Sequence, residues 1–355
     1  MKTVLYIVED EDSPVFRYRV KNPEEAMKSG GSWKVKYILK KDIPNVDLAD
    51  YDLVVILRQT DEDGKLAELI EQARKISLKV LFDLDDLVFS YKDLRALLKS
   101  IGSKNVSYWT KYIKSIRKIG ESVDGFICTN EYLAEKLRSS FSKPVKVFPN
   151  SLNKAQIMAS KKCIAKGVKK HSGFIVGYFP GSPTHAKDFA MVEPELIKFL
   201  ESHDDVKLRV VGYMKFSNKM KTWIHTGRLE ALELVDYPKL QELMAGVDVN
   251  IAPLIINSYS NCKSELKFFE AAAAETTTIA SPNYTFKKAI KHCRNGYLAK
   301  PGEWYSKLEF LYKHPKRNRE VDLAAKEYAL KYHYGKEFLD EVESVYDFFL
   351  KYHDC

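Results

Sequence analysis

Short apolar runs alternate along the first half of the chain with longer segments in which apolar residues recur at helical spacing. The runs predict strands at residues 3–8, 53–57, 79–82 and 125–128, and the longer segments predict helices such as 63–76 and 131–138. Strands that alternate with helices in this way indicate a parallel α/β domain.

The same alternation returns after residue 172. Predicted strands lie at residues 173–178, 207–211, 232–235 and 249–251, and predicted helices at 190–200, 237–244, 264–274 and 286–290. Between the halves, residues 153–172 hold six lysines and lack a long apolar period, so we expect a linker region there. The pattern therefore predicts two doubly wound α/β domains, 1–165 and 172–327, with a boundary near residues 165–172.

The last segment, residues 328–355, carries a separate apolar stripe. Phe338, Val342, Val345 and Phe349 recur at helical spacing and define one face of a predicted helix. Because such a face must be covered, we expect this helix to pack back on the first domain.

The composition narrows the class of protein. A length of 355 residues exceeds a usual single core, which agrees with two domains. The net charge of +9 favours an anionic partner, such as nucleic acid, an acidic lipid surface or a phosphorylated small ligand. Nucleic acid is not expected, because the lysines are spread along the chain and the sequence has no recognition-helix or stacking-sheet motif.

The cysteines and the hydropathy bear on location. The five cysteines are scattered and lack paired zinc spacing, so we expect free thiols in a reducing compartment: Cys128, Cys163, Cys262, Cys293 and Cys355. No apolar run approaches the roughly 18 residues of a membrane span, and the N-terminus leads into a predicted strand rather than a signal peptide. We therefore expect a cytoplasmic protein.

Residues 257–275 are the most informative segment, because a polar loop turns there into a helix that carries Lys263, Lys267 and Glu270. Ser264 is the predicted N-cap, and the free N–H groups and dipole of a helix N-terminus attract an anion. Lys267 and Glu270 share a helix face, so a carboxylate can reach a ribose hydroxyl while the cation holds phosphates. The alternative is a capped core helix with a surface ion pair.

The segment after the first strand has two features. Its acidic residues 9–12 resemble the start of a phosphorylatable receiver domain. A receiver needs an aspartate at the end of its third strand, but here Asp52 begins the strand in question and Arg58 ends it, so the required aspartate is missing. Arg17 and Arg19 alternate with aromatic residues at the carboxyl edge of the predicted sheet, where ligands of such sheets bind. They are equally compatible with a solvated helix start.

Five segments carry a family resemblance: 145–150, 177–189, 210–212, 248–254 and 263–271. In this order they resemble the bacterial family 4 glycosyltransferases of the GT-B fold, in which two facing Rossmann-like domains hold a nucleotide-sugar donor in the cleft. The first half is matched mainly at residues 82–86, so the resemblance covers about the last two-thirds of the chain.

The resemblance implies roles for individual residues. Lys187 would neutralise the diphosphate and aid departure of the nucleotide, and Glu270 would grip the ribose. Together with His185 they are the expected catalytic residues. The expected nucleotide-binding set is Gly181, Ser182, Lys187, Gly212, Tyr213, Asp236, Tyr237, Lys263, Ser264, Glu265, Leu266 and Glu270.

Three departures from the family pattern affect the expected site. Cys262 stands where the family has the first glutamate of its pair, which acts on the sugar ring. Ser182 stands where an arginine often precedes the motif lysine, and Lys263 is the expected replacement for its charge. The first domain lacks the histidine that many relatives place beside the sugar, and His185 is the expected substitute.

The acidic cluster Asp83, Asp85 and Asp86 has two interpretations. An Asp-x-Asp after a strand can hold a divalent metal, as in the other large glycosyltransferase fold. Because lysines already supply cations here, we expect no metal and assign the cluster, with Arg17 and Arg19, to acceptor binding or domain structure.

Two further segments complete the sequence-based picture. Gly212, Tyr213, Asp236 and Tyr237 are expected to contact the nucleotide base, although all four suit turns equally. Residues 107–119 form a basic amphipathic helix that fits either an anionic membrane surface or core packing with a solvated lysine face.

The expected function is a retaining, metal-independent glycosyltransferase in cell-surface glycan assembly, such as capsule or lipopolysaccharide. A UDP-sugar donor is favoured over GDP- or dTDP-sugars, and the acceptor is a saccharide or a lipid-linked saccharide, with peripheral membrane contact left open. Two alternatives remain: a catalytically degenerate GT-B protein that binds nucleotide or a partner, and a sugar-nucleotide epimerase.

Overall fold

A computed structural model describes residues 1–168 and 172–352. The described residues form two parallel six-stranded sheets, each with helices on both faces. The prediction of two doubly wound α/β domains is therefore confirmed.

The first sheet has the strand order β2-β1-β3-β4-β5-β6. Its strands are β1 (Lys2–Val8), β2 (Trp33–Leu39), β3 (Leu53–Leu57), β4 (Val80–Leu84), β5 (Gly125–Cys128) and β6 (Val145–Val147). Its helices are α1 (Pro14–Phe16), α2 (Asn22–Lys28), α3 (Lys65–Lys75), α4 (Leu94–Ile101), α5 (Val106–Ser122) and α6 (Glu131–Phe141), and a short π-helical turn, Arg17–Lys21, follows α1. The central strands are buried along their whole length, as their continuous apolar runs require.

The second sheet has the order β12-β11-β10-β7-β8-β9. Its strands are β7 (Phe174–Tyr178), β8 (Val206–Val211), β9 (Leu229–Leu232), β10 (Val249–Ala252), β11 (Thr277–Ala280) and β12 (Tyr297–Leu298). The helices of this half are α7 (Lys154–Lys166), α8 (Ala186–Ser202), α9 (Asn218–His225), α10 (Tyr237–Ala245), α11 (Ser258–Asn261), α12 (Leu266–Ala273), α13 (Tyr284–Ala289), α14 (Trp304–Lys313) and α15 (Pro315–Tyr332). The strand order reverses between β7 and β10, so a crevice opens at their carboxyl ends.

The expected linker is a helix. Asn153 and Gln156 form a reciprocal capping box at the start of α7, and Ile157 and Cys163 pack into the second domain. The chain therefore crosses between domains near residues 150–153, ahead of the expected boundary at 165–172, part of which lies outside the described residues.

A final helix, α16 (Lys336–Lys351), lies on the first domain. Its buried residues Phe338, Val342, Val345 and Phe349 join the apolar cluster beneath β1 and β3. The Tyr346 hydroxyl is 2.8 Å from that of Tyr6 on β1. The expected apolar stripe is thus the face that covers one side of the first sheet.

Other sequence-based details differ from the structure. The strand expected at 232–235 lies at Leu229–Leu232, and the helix expected from Ser264 begins at Leu266. Cys128, Cys163 and Cys262 are buried free thiols and Cys293 is an exposed one, whereas Cys355 lies outside the described residues. Within the described chain, every helix is too short or too polar to span a bilayer.

Candidate active site

The crevice at the carboxyl ends of β7 and β10 is closed by the first domain. Residues 179–185 follow β7 and lead into α8, while residues 253–265 follow β10 and lead into α12. On the opposite side, the π-helical turn Arg17–Lys21 and helix α4 approach these loops. The expected site residues are drawn mainly from these loops and from the turn.

Glu270 lies on the buried face of α12, where both domains contact it. Its Oε1 accepts hydrogen bonds from the Tyr18 hydroxyl of the first domain and from Gln156 Nε2 of α7, the latter at 3.0 Å. Burial raises the pKa of Glu270. The carboxylate is therefore held in the crevice by two donors.

Arg17 links this carboxylate region to the loop after β9. Its guanidinium carbon lies 4.6 Å from the ring centroids of both Tyr18 and Tyr237, so the cation sits between the two rings. Asp236 caps α10 by accepting from the Lys239 N–H at 2.8 Å. Tyr213, two residues after the end of β8, is half exposed.

Lys267 brings a positive charge to the loop after β7. Its Nζ donates to the carbonyl oxygen of Phe179 at 2.6 Å. Burial, opposed by Glu270 and Asp188, lowers the pKa of Lys267 to about 8. A buried ammonium that is bonded to a neutral carbonyl favours an anionic ligand, because a nearby negative charge would restore its full protonation.

The other two lysines of the expected site reach across to the first domain. Lys187 Nζ donates to the Lys99 carbonyl at the end of α4 at 3.2 Å. Lys263 Nζ is 2.6 Å from Asp86 Oδ1 and 4.7 Å from the Tyr259 ring centroid. Lys263, the expected replacement for the charge of the missing arginine, is thus paired with Asp86, whereas Lys267 brings its charge to the loop after β7.

His185 and Asp188 form a pair at the start of α8. His185 Nδ1 lies 3.1 Å from Asp188 Oδ2, and Asp188 Oδ1 accepts from the Ile255 N–H at 2.8 Å. Burial, followed by the charge of Lys267, lowers the pKa of His185. The pair lines a small cavity between the domains, together with Ser100, Ile101, Thr184, Leu254, Tyr259, Ser260 and Lys263.

Comparison with known proteins agrees with this architecture. Residues 175–314 match the model of the family Glycosyl transferases group 1. The matched segment lies within the second domain. A sequence comparison with curated proteins finds no match.

Solved structures extend the similarity to the whole chain, which has the GT-B fold. HepE from Anabaena in complex with UDP and glucose is 13% identical with a TM-score of 0.63, and the match covers 98% of this chain and 100% of HepE. Sucrose-phosphate synthase from Thermosynechococcus elongatus is 12% identical with a TM-score of 0.66 and 98% coverage of both chains. WaaG, a glycosyltransferase involved in lipopolysaccharide biosynthesis, is 12% identical with a TM-score of 0.63, covering 98% of this chain and 99% of WaaG.

The position that differs from the GT-B family pattern is buried. Cys262 is fully buried against the apolar core of the first domain, and its carbonyl accepts from Asn130 Nδ2 at 2.8 Å. The neighbouring α11 docks on the first domain, where Asn257 Nδ2 donates to Ser100 Oγ at 2.9 Å. The Cys262 side chain therefore packs at the contact between the two domains and does not line the crevice.

The residues that begin α12 also differ from expectation. Ser264 is expected to cap the helix, but Glu265 occupies the N-cap position and Ser264 Oγ accepts from Asn150 Nδ2 at 3.2 Å. Burial raises the pKa of Glu265 to about 7, and its Oε1 lies 3.5 Å from His333 Nε2. Leu266 is half-buried against the α12–α15 cluster.

The glycines and Ser182 shape the loops of this GT-B crevice. Gly212 has φ +116°, and a Cβ there would lie 2.1 Å from the Pro180 carbonyl oxygen, so only glycine fits. Gly181 is exposed. The Ser182 hydroxyl is 2.5 Å from that of Thr184, which orders the turn before α8.

The expected acceptor-binding residues fall into two groups. Arg19 and Asp83 are fully buried and paired, with Arg19 Nε 3.0 Å from Asp83 Oδ2, and Arg19 Nη1 also donates to the Phe148 carbonyl. Their assignment to acceptor binding is therefore replaced by a structural role inside the first domain. Burial raises the pKa of Asp83 to about 6 despite this pairing.

Asp85 and Asp86 remain at the domain boundary. Arg58 lies 3.0 Å from Asp85 and 3.1 Å from Asp86, which also contacts Lys263. Among the described residues, no group of three His, Cys, Asp or Glu side chains has a geometry that could hold a metal ion.

The sequence analysis did not identify some of the residues that form the site. Gln156 fell in the expected linker, although its position three residues after Asn153 is a capping-box signal. Asp188 follows His185 by three residues, a spacing that brings two side chains together on a helix. Asn130 carried no local signal, because its partner at Cys262 lies 132 positions away.

Proposed function

We propose that this protein transfers a sugar from a nucleoside-diphosphate sugar, with UDP-sugars favoured, to a saccharide or lipid-linked acceptor with retention of configuration. One observation carries the proposal. Lys267 and Glu270 stand on one face of α12 at the switch point of a glycosyl transferases group 1 domain, where a cation and a carboxylate match a diphosphate and a ribose.

The proposed mechanism relies on positioning and charge. Glu270 would accept hydrogen bonds from ribose hydroxyls, and the stacked pair Arg17 and Tyr237 would lie at the base. Negative charge grows on the departing nucleoside diphosphate, and Lys267 and Lys187 would stabilise it. The acceptor hydroxyl would attack on the face that the nucleotide leaves, which retains configuration and requires close orientation of both substrates.

The donor and the pathway are supported by similarity. HepE is solved in complex with UDP and glucose, and WaaG is involved in lipopolysaccharide biosynthesis. We therefore favour a UDP-sugar and a role in cell-surface glycan assembly at the cytoplasmic face of a membrane.

Helix α5 bears on the membrane part of this proposal. Ile113 and Ile116 are buried, so the apolar face of this helix packs on the core of the first domain. This agrees with the core-packing interpretation of residues 107–119. Tyr108, Trp109 and Tyr112 form an aromatic cluster at its start, with ring centroids 5.3 to 6.2 Å apart. These rings, rather than the whole helix face, are the proposed membrane contact.

A thermal-shift panel with UDP, GDP, dTDP and CMP, each with and without a chelator, tests the proposal. A ligand that binds the native state raises the melting temperature. We expect UDP to stabilise the protein selectively and the shift to survive chelation. No shift with any nucleotide would contradict the nucleotide site, and a shift abolished by chelator would contradict metal independence.

A second candidate is a GT-B protein that binds nucleotide without turnover. The burial of Cys262 in the first-domain core favours it, because a position that acts on the sugar in the family is withdrawn from the crevice here. Donor hydrolysis separates the two functions. A protein that binds UDP-sugars but releases no free sugar over hours would support the non-catalytic alternative.

A further inference from the structure

A second cavity lies in the second domain, at the end opposite the crevice. It has a volume of about 400 Å³ and is lined by α7 and α10, with Ile175 near the start of β7 and Gly246 ahead of β10 in its wall. Gln156, which contacts Glu270 in the crevice, precedes Lys166 of this cavity by ten positions on α7. Ten residues of helix span about 15 Å, so the cavity is separate from the proposed donor site.

The lining of this cavity is rich in cations. Lys162 and Lys166 come from α7, Arg209 from β8 and Lys239 from α10. Glu242 is the one acidic residue of the described lining, and it lies 3.0 Å from Lys239. Lys162 and Lys166 have no acidic partner among the residues that the structure describes. The cavity therefore carries net positive charge, which favours an anionic ligand.

The two lysines of α7 destabilise the helix when no ligand is bound. They are four residues apart and so stand on one face, where like charges repel. From Lys154 to Lys166, α7 contains no aspartate or glutamate that could offset this repulsion. An anion bound between the two ammonium groups would offset it.

Arg209 is held in one orientation by the protein. Its Nε lies 2.5 Å from Glu230 Oε2, and its Nη1 donates to the carbonyl oxygens of Leu243 and Gly246, at 3.2 and 3.3 Å. Among the described residues, the remaining nitrogen, Nη2, has no partner and is available to a ligand. A planar donor fixed in this way suits the oxygens of a phosphate or a carboxylate.

The floor of the cavity is apolar. Cys163 and Ile175 are buried, and Leu243 lies beside them. Burial raises the pKa of the Cys163 thiol, and the three lysines of the lining act against that rise, which shows that all three approach the floor. A ligand that fills this space therefore needs an anionic group for the cations and an apolar part for the floor.

We propose that this cavity binds a small phosphate monoester, with the phosphate between Lys162, Lys166 and Arg209 and the organic part on the apolar floor. A phosphate monoester carries about 1.5 to 2 negative charges at pH 7 and three acceptor oxygens, which matches several converging donors. The volume of about 400 Å³ lies in the usual range for small-molecule sites. This site is additional to the donor site and does not depend on it.

Calorimetry with phenyl phosphate and inorganic phosphate tests the proposal. Phenyl phosphate joins a phosphate to an apolar ring. It is titrated first in the presence of saturating UDP, which occupies the proposed donor site, and then into Lys267→Ala without UDP, which weakens anion binding in the crevice by a route that needs no nucleotide. We expect one phenyl phosphate per protein in both titrations, bound about 10-fold more tightly than inorganic phosphate because the ring covers the floor.

Single substitutions locate the bound anion. Lys162→Gln and Lys166→Gln should each weaken phenyl phosphate about 10-fold or more, as for a lost charge-assisted hydrogen bond. Lys161→Gln is the matched control, because it makes the same change at an exposed neighbour on α7 that does not line the cavity. It should change the affinity by less than about twofold.

The opposite results would overturn the proposal. Equal weakening by Lys161→Gln and Lys162→Gln would show a general effect of charge. Loss of phenyl phosphate binding in both the UDP and the Lys267→Ala titrations would place the anion in the crevice, and equal affinity for inorganic phosphate would remove the ester assignment. A protein that binds phenyl phosphate as expected but binds no nucleotide would overturn the proposed function and leave this site intact.

Discussion

Lys267 is the residue whose ionisation should report ligand binding. Its pKa of about 8 means that about half the molecules carry the charge at pH 8. A diphosphate beside it would raise that pKa, so UDP binding at pH 8 should take up about half a proton and weaken as the pH rises further. Calorimetry in buffers of different ionisation enthalpy measures the uptake.

Lys267→Arg is the matched control, because arginine stays charged throughout this range. It should bind UDP without proton uptake. Equal uptake in wild type and variant would assign the proton to another group and remove Lys267 from the diphosphate site.

Lys187 should act on the departing nucleotide rather than on donor binding. It is an exposed side chain whose contact is a first-domain carbonyl, so it is free to turn toward the charge that grows in the transition state. We expect Lys187→Ala to lower kcat about 100-fold with little change in donor KM, the pattern of an interaction made in the transition state. Initial rates at varied donor concentration measure both, and normal turnover would rule out the assignment.

Glu265 and His333 should oppose each other in the pH dependence of stability. Burial raises the pKa of Glu265 to about 7, so the native state holds an extra proton and Glu265 lowers the unfolding free energy as pH rises from about 4.5 to 7. Burial lowers the pKa of His333 to about 4, so the unfolded state holds the extra proton and His333 raises the unfolding free energy from about pH 4 to 6.5.

The single variants should reveal the two opposing slopes. Between pH 4.5 and 6.5, Glu265→Gln should become more stable with rising pH relative to wild type, and His333→Gln less stable. Urea unfolding at several pH values measures this, and slopes equal to that of wild type in both variants would show that the two groups titrate as in water.

At the residue scale, the local sequence pattern identified some residues of the site, but it could not identify contacts between residues that are far apart in the chain. The spacing of Lys267 and Glu270 put both on one face of a helix, and the structure places both in the crevice. The partner of Lys263 was not predictable, because Asp86 lies 177 positions away in the chain. Charge pairs of this kind follow from domain packing rather than from local sequence.

At the scale of elements, central strands were predictable and marginal elements were not. Continuous apolar runs such as β3 identify buried parallel strands. The edge strand β2 alternates lysines with apolar residues, and β12 has only two residues, so neither strand was predicted from the sequence. Helix α7 was taken for a linker because its segment is rich in lysine and lacks a long apolar period, yet tertiary packing stabilises it.

Helix α16 should be essential to the first domain. Phe349 is buried, and its ring packs against Gly125 at the start of β5, where an added Cβ would lie 2.4 Å from the ring. We expect Phe349→Ala to destabilise the first domain by about 3 to 5 kcal/mol, the usual cost of removing a buried phenylalanine. Hydrogen exchange of the β1 and β5 amides measures the loss.

Phe310→Ala on α14 is the comparison for this change, since Phe310 is already partly exposed. It should cost far less and leave β1 protected. Equal effects of the two substitutions would mean that α16 does not stabilise the first sheet.

At the scale of the whole molecule, the two domains are joined by contacts that involve the site itself. Asn130 with Cys262, Ser100 with Asn257, and Asp86 with Lys263 tie α11 and its loop to the first domain. The Tyr18 hydroxyl bonds Glu270 across the same boundary. The arrangement of the domains is therefore coupled to the groups proposed to bind the donor.

Because the domain contact uses Glu270, loss of the Tyr18 hydroxyl should change the affinity for the nucleotide. A ribose hydroxyl and the Tyr18 hydroxyl would donate to the same Glu270 carboxylate, so the domain contact and the nucleotide compete. Removing the tyrosine hydroxyl should raise UDP affinity about 2- to 10-fold, since a net hydrogen bond is worth roughly 0.5–1.5 kcal/mol. Calorimetric titration of Tyr18→Phe with UDP measures the change.

Tyr346→Phe is the matched control, because its hydroxyl pairs with Tyr6 inside the first domain and away from the crevice. It should leave UDP affinity unchanged. A lower affinity in Tyr18→Phe would mean that the tyrosine binds the nucleotide together with Glu270. A higher affinity would mean that closure of the two domains through Tyr18 limits donor entry, because the closed contact must break before the ribose can replace it.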